Sequence, residues 1–337
     1  MKDFKGKIAF ITGGGSGAGL GQAKVFAKAG MRVAIADVRR DALHKAVSEI
    51  VEYAGCKVGD VFPLCFDLTD RKAYADAADT VEKVFGGPPH LLIQTAGVNS
   101  FGPVEASTYD DFDWVVGVCF DHVVNGLITF VPRMLRAYGG TGGVPKEEFH
   151  VAATSSMGGM LKGAGTGPYS AAKAAVNNLI YSYAEALRIY GGSATVLCPY
   201  NINSNIGNSE KFRPENLRNT GYHVSEGTMA HLSSIHAHGI DPIELAEILK
   251  EGIENGRIVV LPFRSVDEGL ARVREANEEV EWYMLTSEER KAKMDERQAK
   301  RIAEGAPASG MSSVPEGAER FGTARKDLDY IDPSKKL

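Results

Sequence analysis

Ile8-Ala-Phe-Ile11 leads directly into Thr12-Gly-Gly-Gly-Ser-Gly-Ala-Gly19, and this stretch decides the fold of the chain. A helical stretch follows from Gln22 to Lys28. A strand, a glycine-rich turn and a helix in this order are typical of a loop that binds the pyrophosphate of a dinucleotide. A glycine-rich loop alone is more often a flexible turn, so the rest of the sequence has to decide. The loop residues predicted to bind the dinucleotide are Thr12, Gly13, Gly15, Ser16, Gly17 and Gly19.

An acidic residue follows the glycine-rich loop at the distance that is typical of dinucleotide-binding proteins. The next apolar run, Val33–Ala36, ends in Asp37, about twenty residues past the loop, where a carboxylate binds the ribose hydroxyls of NAD. The same carboxylate would repel the 2′-phosphate of NADP. Arg39 and Arg40 favour NADP instead, because they could accommodate that phosphate. The sequence therefore favours NAD as the cofactor.

Short apolar runs alternate with helical stretches as far as about Pro262. Near-continuous hydrophobic strands separated by helices indicate a parallel sheet that is covered on both faces. The runs are Ile8–Ile11, Val33–Ala36, Val61–Phe66, Leu91–Ile93, Val151–Ala153, Ala194–Leu197 and Ile258–Leu261. We therefore predict an α/β fold with a doubly wound (Rossmann) seven-stranded parallel sheet. Ligands of such a sheet bind beyond the carboxyl ends of its strands.

Composition argues against several other classes of protein. The 337 residues carry a formal net charge of −5, which predicts no attraction to nucleic acid or to a membrane surface. No apolar run approaches the about 20 residues of a membrane span, and the start of the chain lacks a signal-peptide pattern. The four cysteines lack metal or redox spacing, so we expect reduced thiols, a cytoplasmic location and no metal site.

The composition of the chain changes after about residue 264, which predicts two regions. We predict that residues 1–264 form the NAD-binding catalytic domain and that 265–337 form a helical C-terminal extension and tail. The patterns over 266–285 and 287–304 indicate charged amphipathic helices, and 305–317 resembles a loose linker. Within the domain, residues 200–239 are polar and without periodicity, and they directly follow a strand. Long irregular segments in such positions are often substrate loops.

Tyr169 and Lys173 are four residues apart, so on a helix they lie on one face, one turn apart. An ammonium group beside a phenol favours the phenolate, and we predict that Lys173 lowers the Tyr169 pKa from its usual value of about 10. Such a tyrosine exchanges protons with an alcohol near neutral pH. Ser156, thirteen positions upstream, follows an apolar run whose end could place its hydroxyl at the same spot. Alone, such a pair is more often merely solvated; the glycine-rich loop favours the catalytic interpretation.

Together these residues resemble the short-chain dehydrogenase/reductase family, over roughly residues 4–262. The family's glycine motif corresponds to Thr12–Gly19, its acidic NAD selector to Asp37, and its catalytic residues to Ser156, Tyr169 and Lys173. The resemblance implies that Lys173 also binds the nicotinamide ribose. Outside the glycine loop, the cofactor-binding residues it implies are Asp37, Val38, Asp67, Leu68, Ala96, Gly97, Tyr169, Lys173, Pro199, Ile202 and Ser204.

The chain departs from the family at the fourth catalytic residue, an Asn thirteen residues before a Pro. Counting back from Pro132 gives Cys119, whereas Asn125 is six residues further on and faces another side of the helix. In the family this Asn is associated with a proton relay through water to the lysine. The resemblance therefore implies the alcohol chemistry and leaves the relay open.

Within the family, residues 1–38, 95–103, 109–114 and 233–239 resemble the bacterial Cα-dehydrogenases of lignin-derived β-aryl ethers. This implies NAD-dependent oxidation of the benzylic Cα alcohol of a guaiacylglycerol-type β-O-4 ether to the Cα-ketone, in a homodimer or homotetramer. The predicted contacts with this aromatic alcohol are Asn99, Phe101, Met157 and Tyr200. One alternative is another NAD(P)-dependent secondary-alcohol or hydroxysteroid dehydrogenase. The other, supported only by Cys119, is a catalytically silent nucleotide-sensing protein.

Overall fold

The structure, a computed structural model, describes residues 1–161 and 165–263, and the single positions 267, 271, 273, 274, 288, 299 and 303. The chain divides into two units, Met1–Gly269 and Leu270–Leu337, and every element below belongs to the first. The predicted helices over 266–285 and 287–304 and the linker over 305–317 lie almost entirely outside the described residues. The domain boundary at residue 264 therefore stays a prediction.

A parallel sheet forms the centre of the first unit. Its strands are β1 (Ile8–Thr12), β2 (Arg32–Asp37), β3 (Val61–Cys65), β4 (Leu91–Gln94), β5 (His150–Thr154), β6 (Ser193–Leu197) and β7 (Val259–Val260). Their order across the sheet is β3-β2-β1-β4-β5-β6-β7, and all neighbouring pairs are parallel. The predicted doubly wound, seven-stranded sheet is confirmed, and the strand bounds differ from the predicted ones by one or two residues.

Helices cover both faces of this sheet. They are α1 (Gly17–Lys28), α2 (Arg40–Ala54), α3 (Arg71–Phe85), α4 (Tyr109–Val116), α5 (His122–Tyr138), α6 (Gly167–Arg188), α7 (Glu226–Ala237) and α8 (Pro242–Glu254). Alternate side chains of a strand point to opposite faces. In β1, Phe10 belongs to the core cluster that includes Phe130 of α5, whereas Ile11 belongs to the cluster that includes Phe26 of α1.

Helix α1 begins five residues before the predicted stretch at Gln22, inside the glycine-rich loop. Glycine is a poor helix former, so the sequence pattern argued against helix there. Tertiary packing overrides that preference because α1 lies very close to α8. A Cβ added to Gly21 would stand 2.3 Å from the carbonyl oxygen of Pro242. The glycines are what allow the two helices to approach.

Helices α4 and α5, joined by a π-helical turn over Gly117–Asp121, form a continuous stretch from Tyr109 to Tyr138. Among the described residues, this stretch is apolar and long enough to cross a membrane, which inspection of single apolar runs did not show. However, 56% of its apolar window is buried in the protein. Val123, Leu127 and Phe130 of α5 belong to the main core cluster, so this helix uses its apolar side chains to pack the interior.

Residues 200–239, which we call the covering segment, are less irregular than predicted. They contain 3-10 turns over Asn205–Phe212 and Glu215–Leu217, followed by helix α7. No residue of α7 is buried, so its sequence lacks the apolar stripe from which a helix is usually recognised. The helix begins at Ser225, whose side chain accepts a hydrogen bond from the backbone N–H of Thr228.

Candidate active site

The structure brings the three predicted catalytic residues to one strand end. Ser156 follows the end of β5, and Tyr169 and Lys173 lie in the first two turns of α6. The Ser156 hydroxyl lies beside the Tyr169 phenol and acts to lower its pKa. It also accepts a hydrogen bond from the backbone N–H of Gly158 at 3.0 Å, which fixes its position. An alcohol oxygen at this point would meet a serine and a tyrosine hydroxyl together.

Lys173 is buried behind the tyrosine. Its Nζ donates to the carbonyl oxygen of Thr154 at 2.8 Å and lies 5.6 Å from the centre of the Tyr169 ring. The Ser155 hydroxyl donates to the Lys173 carbonyl at 2.9 Å, which is a structural role. These two bonds tie α6 to the end of β5 and hold the catalytic side chains in register.

The predicted direction of the Tyr169 pKa is wrong for this structure. Burial raises the pKa of Tyr169 well above its ordinary value, although the neighbouring Ser156 hydroxyl works in the opposite direction. Burial also lowers the pKa of Lys173, because a buried ammonium loses its hydration. The sequence shows that the two groups are neighbours. It does not show that the low-polarity surroundings outweigh their mutual effect.

The glycine-rich loop is closely packed at the ends of β1 and β4, where a dinucleotide is predicted to bind. Gly13 has φ +69°, and a Cβ there would stand 3.0 Å from the backbone of Ala96. A Cβ on Gly19 would stand 2.3 Å from the Gly13 carbonyl oxygen. Thr12 Oγ1 accepts hydrogen bonds from the backbone N–H groups of Thr95 and Ala96 at 2.8 and 3.2 Å, which joins the ends of β1 and β4.

Asp37 lies at the end of β2 with its carboxylate against the loop. It accepts hydrogen bonds from the Gly15 backbone N–H at 3.2 Å and from the guanidinium of Arg39 at 3.1 Å through both oxygens. Arg39 Nη2 also donates to the Ser16 hydroxyl at 2.8 Å. Asp37, the acid predicted to select NAD, and Arg39, which would favour NADP, therefore form an ion pair beside the loop.

The other predicted cofactor residues lie along the same edge of the sheet. Val38 is 64% exposed, so its side chain is open to a ligand. Asp67 accepts two hydrogen bonds from Thr69, and a Cβ on Gly17 would stand 3.1 Å from Ser204 Cβ. Ala96 and Gly97 follow β4, Pro199 follows β6, Leu68 is buried beyond β3, and Ile202 pairs with Ile240 in an isolated bridge. That they bind a cofactor stays a prediction.

Cys119 occupies the π-helical turn beside Lys173. Its Sγ donates to the Val98 carbonyl at 3.1 Å and accepts from the Val98 backbone N–H at 3.4 Å. A Cβ on Gly97 would lie 3.5 Å from Lys173 Nζ and 3.6 Å from Cys119 Sγ. The thiol thus fixes the chain after β4 next to the lysine. Asn125 does not replace it, because its side chain donates to the carbonyl of Leu68, on another side of the helix, at 3.1 Å.

Sequence reasoning missed one residue behind this site, His122. Its ring is fully buried, and Nε2 lies 3.3 Å from Thr12 Oγ1, in the glycine-rich loop. Burial lowers the pKa of His122 to about 3, so the ring is neutral at ordinary pH. No local signal could have found this contact, since it joins residues 110 positions apart.

The predicted substrate residues have different environments. Asn99 is buried, and its side-chain Oδ1 has no hydrogen-bond partner among the described residues. Tyr200 is 46% exposed and Phe101 is partly exposed, so both offer open surface. Met157 is fully buried in the main core cluster, where it packs the interior. Their contact with a substrate stays a prediction.

Comparison with known proteins agrees with this arrangement. A family model for short chain dehydrogenases matches residues 7–214. The chain belongs to the short-chain dehydrogenase family. The predicted family is thereby confirmed, and the protein is an oxidoreductase acting on CH–OH groups with NAD or NADP.

This short-chain dehydrogenase is 49% identical over 272 residues to the C alpha-dehydrogenase of Sphingobium sp. (strain NBRC 103272 / SYK-6), a match that covers 81% of this chain and 85% of that protein. The crystal structure of LigD in its apo form, from Sphingobium sp. strain SYK-6, superposes with a TM-score of 0.64 at 42% identity. That match covers 81% of this chain and 97% of LigD.

A third comparison concerns the cofactor. A short chain dehydrogenase/reductase from Burkholderia phymatum, crystallised in complex with NAD, superposes with a TM-score of 0.72 at 28% identity. The match covers 93% of this chain and 100% of the other. This relative binds NAD in the fold that the present chain shares.

Proposed function

We propose that this protein oxidises the benzylic Cα secondary alcohol of lignin-derived β-O-4 aryl ethers, of the guaiacylglycerol-β-guaiacyl ether type, to the Cα-ketone, with NAD as the cofactor. The observation that carries the proposal is the meeting of Ser156, Tyr169 and Lys173 at the end of β5, in a chain 49% identical to a C alpha-dehydrogenase. Similarity at this level over 81% of the chain supports a shared reaction. The substrate class follows from the sequence resemblance described above.

Each catalytic side chain has a role that its position supports. Ser156 donates a hydrogen bond to the alcohol oxygen and orients it toward Tyr169. Tyr169, as the phenolate, removes the hydroxyl proton. Lys173 favours the phenolate by its charge and holds the ribose of the cofactor. When bound, NAD supplies the hydride acceptor and a positively charged ring beside the phenol.

The raised pKa of Tyr169 predicts how the rate of alcohol oxidation depends on pH. Because burial raises that pKa, little phenolate is present near neutral pH. The phenolate fraction grows as the pH rises, so alcohol oxidation should accelerate toward alkaline pH. The reverse reaction, which needs the protonated phenol, should not gain from alkaline conditions.

Asp37 is the residue that favours NAD over NADP in this proposal. Its carboxylate lies at the end of β2, bonded to the loop at Gly15, where it would meet the ribose hydroxyls. Arg39 neutralises part of that charge through its two bonds to the carboxylate. We therefore expect a preference for NAD rather than an absolute requirement.

The substrate side of the site is proposed from placement. Asn99, in the loop after β4, has a buried side-chain oxygen without a hydrogen-bond partner in the described part of the chain, and this oxygen suits a hydroxyl group of the substrate. Phe101 follows β4 and Tyr200 follows β6, so the two offer aromatic surface on either side of β5. We expect the working enzyme to be a homodimer or homotetramer and its substrate to be an aromatic alcohol.

A direct assay tests the function. Each stereoisomer of a β-aryl ether dimer is incubated with NAD, NADH absorbance at 340 nm is recorded, and the ketone is identified by mass spectrometry. We expect NADH and Cα-ketone in equal amounts from at least one stereoisomer. NADH formation only from a hydroxysteroid, sugar or cyclic alcohol panel would assign the enzyme to another substrate class. NAD binding without turnover of any alcohol would reject the enzymatic proposal.

A further inference from the structure

Asp111 on α4 is fully buried and is bonded to the covering segment. Its Oδ1 accepts from Arg213 Nη2 at 2.7 Å and from the Tyr222 hydroxyl at 3.1 Å, and its Oδ2 accepts from the Thr220 hydroxyl at 3.0 Å. Oδ2 also accepts from the backbone N–H of Thr108 at 2.8 Å, which caps α4. We call these five residues the latch. The latch joins two parts of the chain about a hundred residues apart.

Arg213 carries the matching charge on the covering segment. Its side chain is 2% exposed, its guanidinium lies over the Trp114 ring at 4.9 Å, and its Nε donates to the Leu217 carbonyl. Removing one member of a buried ion pair is costly. Without the Asp111 charge, Arg213 would keep only its longer contact with Glu210, at 3.4 Å. Surface pairs such as Arg218–Glu215, also in this segment, contribute much less.

The latch holds the covering segment beside the catalytic residues. Leu217 and Tyr169 both pack against a small buried cluster, which consists of Trp114, Val115, Cys119 and Ala172. Ser209 accepts a hydrogen bond from the Asn99 backbone N–H at 3.1 Å, at the end of β4. The Tyr222 ring lies so close to Gly102 that an added Cβ would stand 2.3 Å from it. The segment is thus seated on the loop after β4, next to the predicted substrate residues.

We propose that Asp111 is a positioning residue that holds the covering segment over the substrate side of the site and thereby sets the affinity for large aromatic alcohols. It contacts neither the catalytic hydroxyls nor the glycine-rich loop, so we expect proton transfer and NAD binding to depend on it much less than substrate binding does. The proposal rests on the proposed function only for the identity of the alcohol.

The protonation of Asp111 agrees with this role. Burial alone would raise the pKa of its carboxyl, but the hydrogen bonds from Thr108, Arg213 and Thr220 outweigh burial and lower it. The carboxylate is therefore charged at neutral pH and able to hold Arg213. The charge and its bonds, rather than helix packing alone, account for the seating of the segment.

The main test compares Asp111→Asn with Asp113→Asn, an exposed aspartate on the same helix. For Asp111→Asn we expect the KM for a two-ring β-aryl ether to rise about tenfold or more, with kcat changed less than about threefold. The KM for the small alcohol 1-phenylethanol should rise less, and the Kd for NAD should stay unchanged. Asp113→Asn should behave like the parent enzyme. An unchanged KM for the ether in Asp111→Asn, or an equal loss of NAD affinity, would overturn the proposal.

A second variant separates the latch from the helix cap. Thr220→Val combined with Tyr222→Phe removes two bonds from the covering segment and leaves the Thr108–Asp111 cap intact. A smaller rise in the same KM is expected, and this variant also serves if Asp111→Asn fails to fold. If only Asp111→Asn changes the KM, the bonds from Thr220 and Tyr222 do not hold the segment, and the latch as proposed fails.

Hydrogen exchange provides a readout that needs no substrate. In Asp111→Asn, amides of residues 209–222 should exchange faster while those of β1, β4 and β5 keep their rates. Faster exchange throughout the sheet would mean a general loss of stability and would contradict a positioning role. If the parent enzyme oxidises no aryl ether, the proposed function fails, while the exchange result still decides whether Asp111 holds the segment.

Discussion

The strand edge that carries the cofactor loop and the covering segment opposite it are held in place by different means. At the strand edge, backbone groups and glycines make close contacts, such as Gly19 against the Gly13 carbonyl. The covering segment is held by side chains, above all by Arg213 and Tyr222 on Asp111. The strand edge therefore has a fixed shape, which suits the binding of one kind of cofactor. Side chains of the covering segment can be substituted, and the substrate preference changed with them, without altering the sheet.

The sharpest test of this division, with the largest expected effect, is Tyr169→Phe. Loss of the phenol should reduce kcat by about 10²–10⁴-fold, because general acid–base help has this size. The Kd for NAD and the hydrogen exchange of the covering segment should stay unchanged. The matched control is Tyr181→Phe, further along α6. Steady-state kinetics and isothermal calorimetry measure the two quantities, and normal turnover in Tyr169→Phe would refute the assigned role.

Gly19→Ala should damage the strand edge and spare the covering segment. The added methyl would stand 2.3 Å from the Gly13 carbonyl, and overpacking of this kind costs about 1–3 kcal/mol. We expect a lower melting temperature and weaker NAD binding. Gly59→Ala, where an added Cβ meets no atom within 4 Å, is the control. Parent-like NAD affinity in Gly19→Ala would show that the loop is less tightly packed than the structure indicates.

Acid should weaken the sheet through two buried histidines. Burial lowers the pKa of His122 and of His150 from 6.5 to about 3. Between those pH values the unfolded chain binds a proton that the folded ring does not, so the free energy of unfolding falls as the pH falls from 6.5 toward 3. The steepest slope is about 1.4 kcal/mol per pH unit for each histidine.

Urea unfolding at pH 7, 6 and 5 measures this slope. His150 donates to Thr195, which itself donates to the Arg257 carbonyl, so the neutral ring is built into the sheet. His150→Gln should remove part of the pH dependence, whereas a change at the exposed His44 should not. An identical slope in His150→Gln and in the parent protein would exclude His150 as a source.

The smallest effect is expected for Asp37→Ala. Without the carboxylate, repulsion of a 2′-phosphate disappears while Arg39 and Ser16 remain beside it. We expect the ratio of kcat/KM for NAD to that for NADP to fall by about tenfold, because Arg39 already neutralises part of the charge. Asp41→Ala, on the exposed start of α2, is the control. An unchanged ratio would mean that another residue selects the cofactor.

Local patterns predicted the strand edge well. All seven strands and their parallel arrangement were visible as apolar runs between helices. The glycine-rich loop and the Tyr169–Lys173 spacing predicted the family, because each depends on residues a few positions apart. The start of α1 was missed, since packing against α8 overrides the low helix propensity of glycine.

The covering segment and the electrostatics were not predictable in the same way. Helix α7 has no buried residue and so leaves no apolar stripe in the sequence. The Asp111–Arg213 and Thr12–His122 contacts each join residues more than a hundred positions apart. The Tyr169 pKa was predicted to fall and instead rises, because burial depends on every element packed around the phenol.

The sequence by itself determined the sheet, the glycine-rich loop and the helical spacing of Tyr169 and Lys173, because strand alternation, glycine turns and helical periodicity are properties of short stretches of chain. Only the tertiary structure decided that His122 lies against Thr12, that Cys119 fixes the chain beside Lys173, and that Asp111 holds the covering segment. Burial and long-range hydrogen bonds arise only when distant stretches pack together, and they set the charge state and shape of the site.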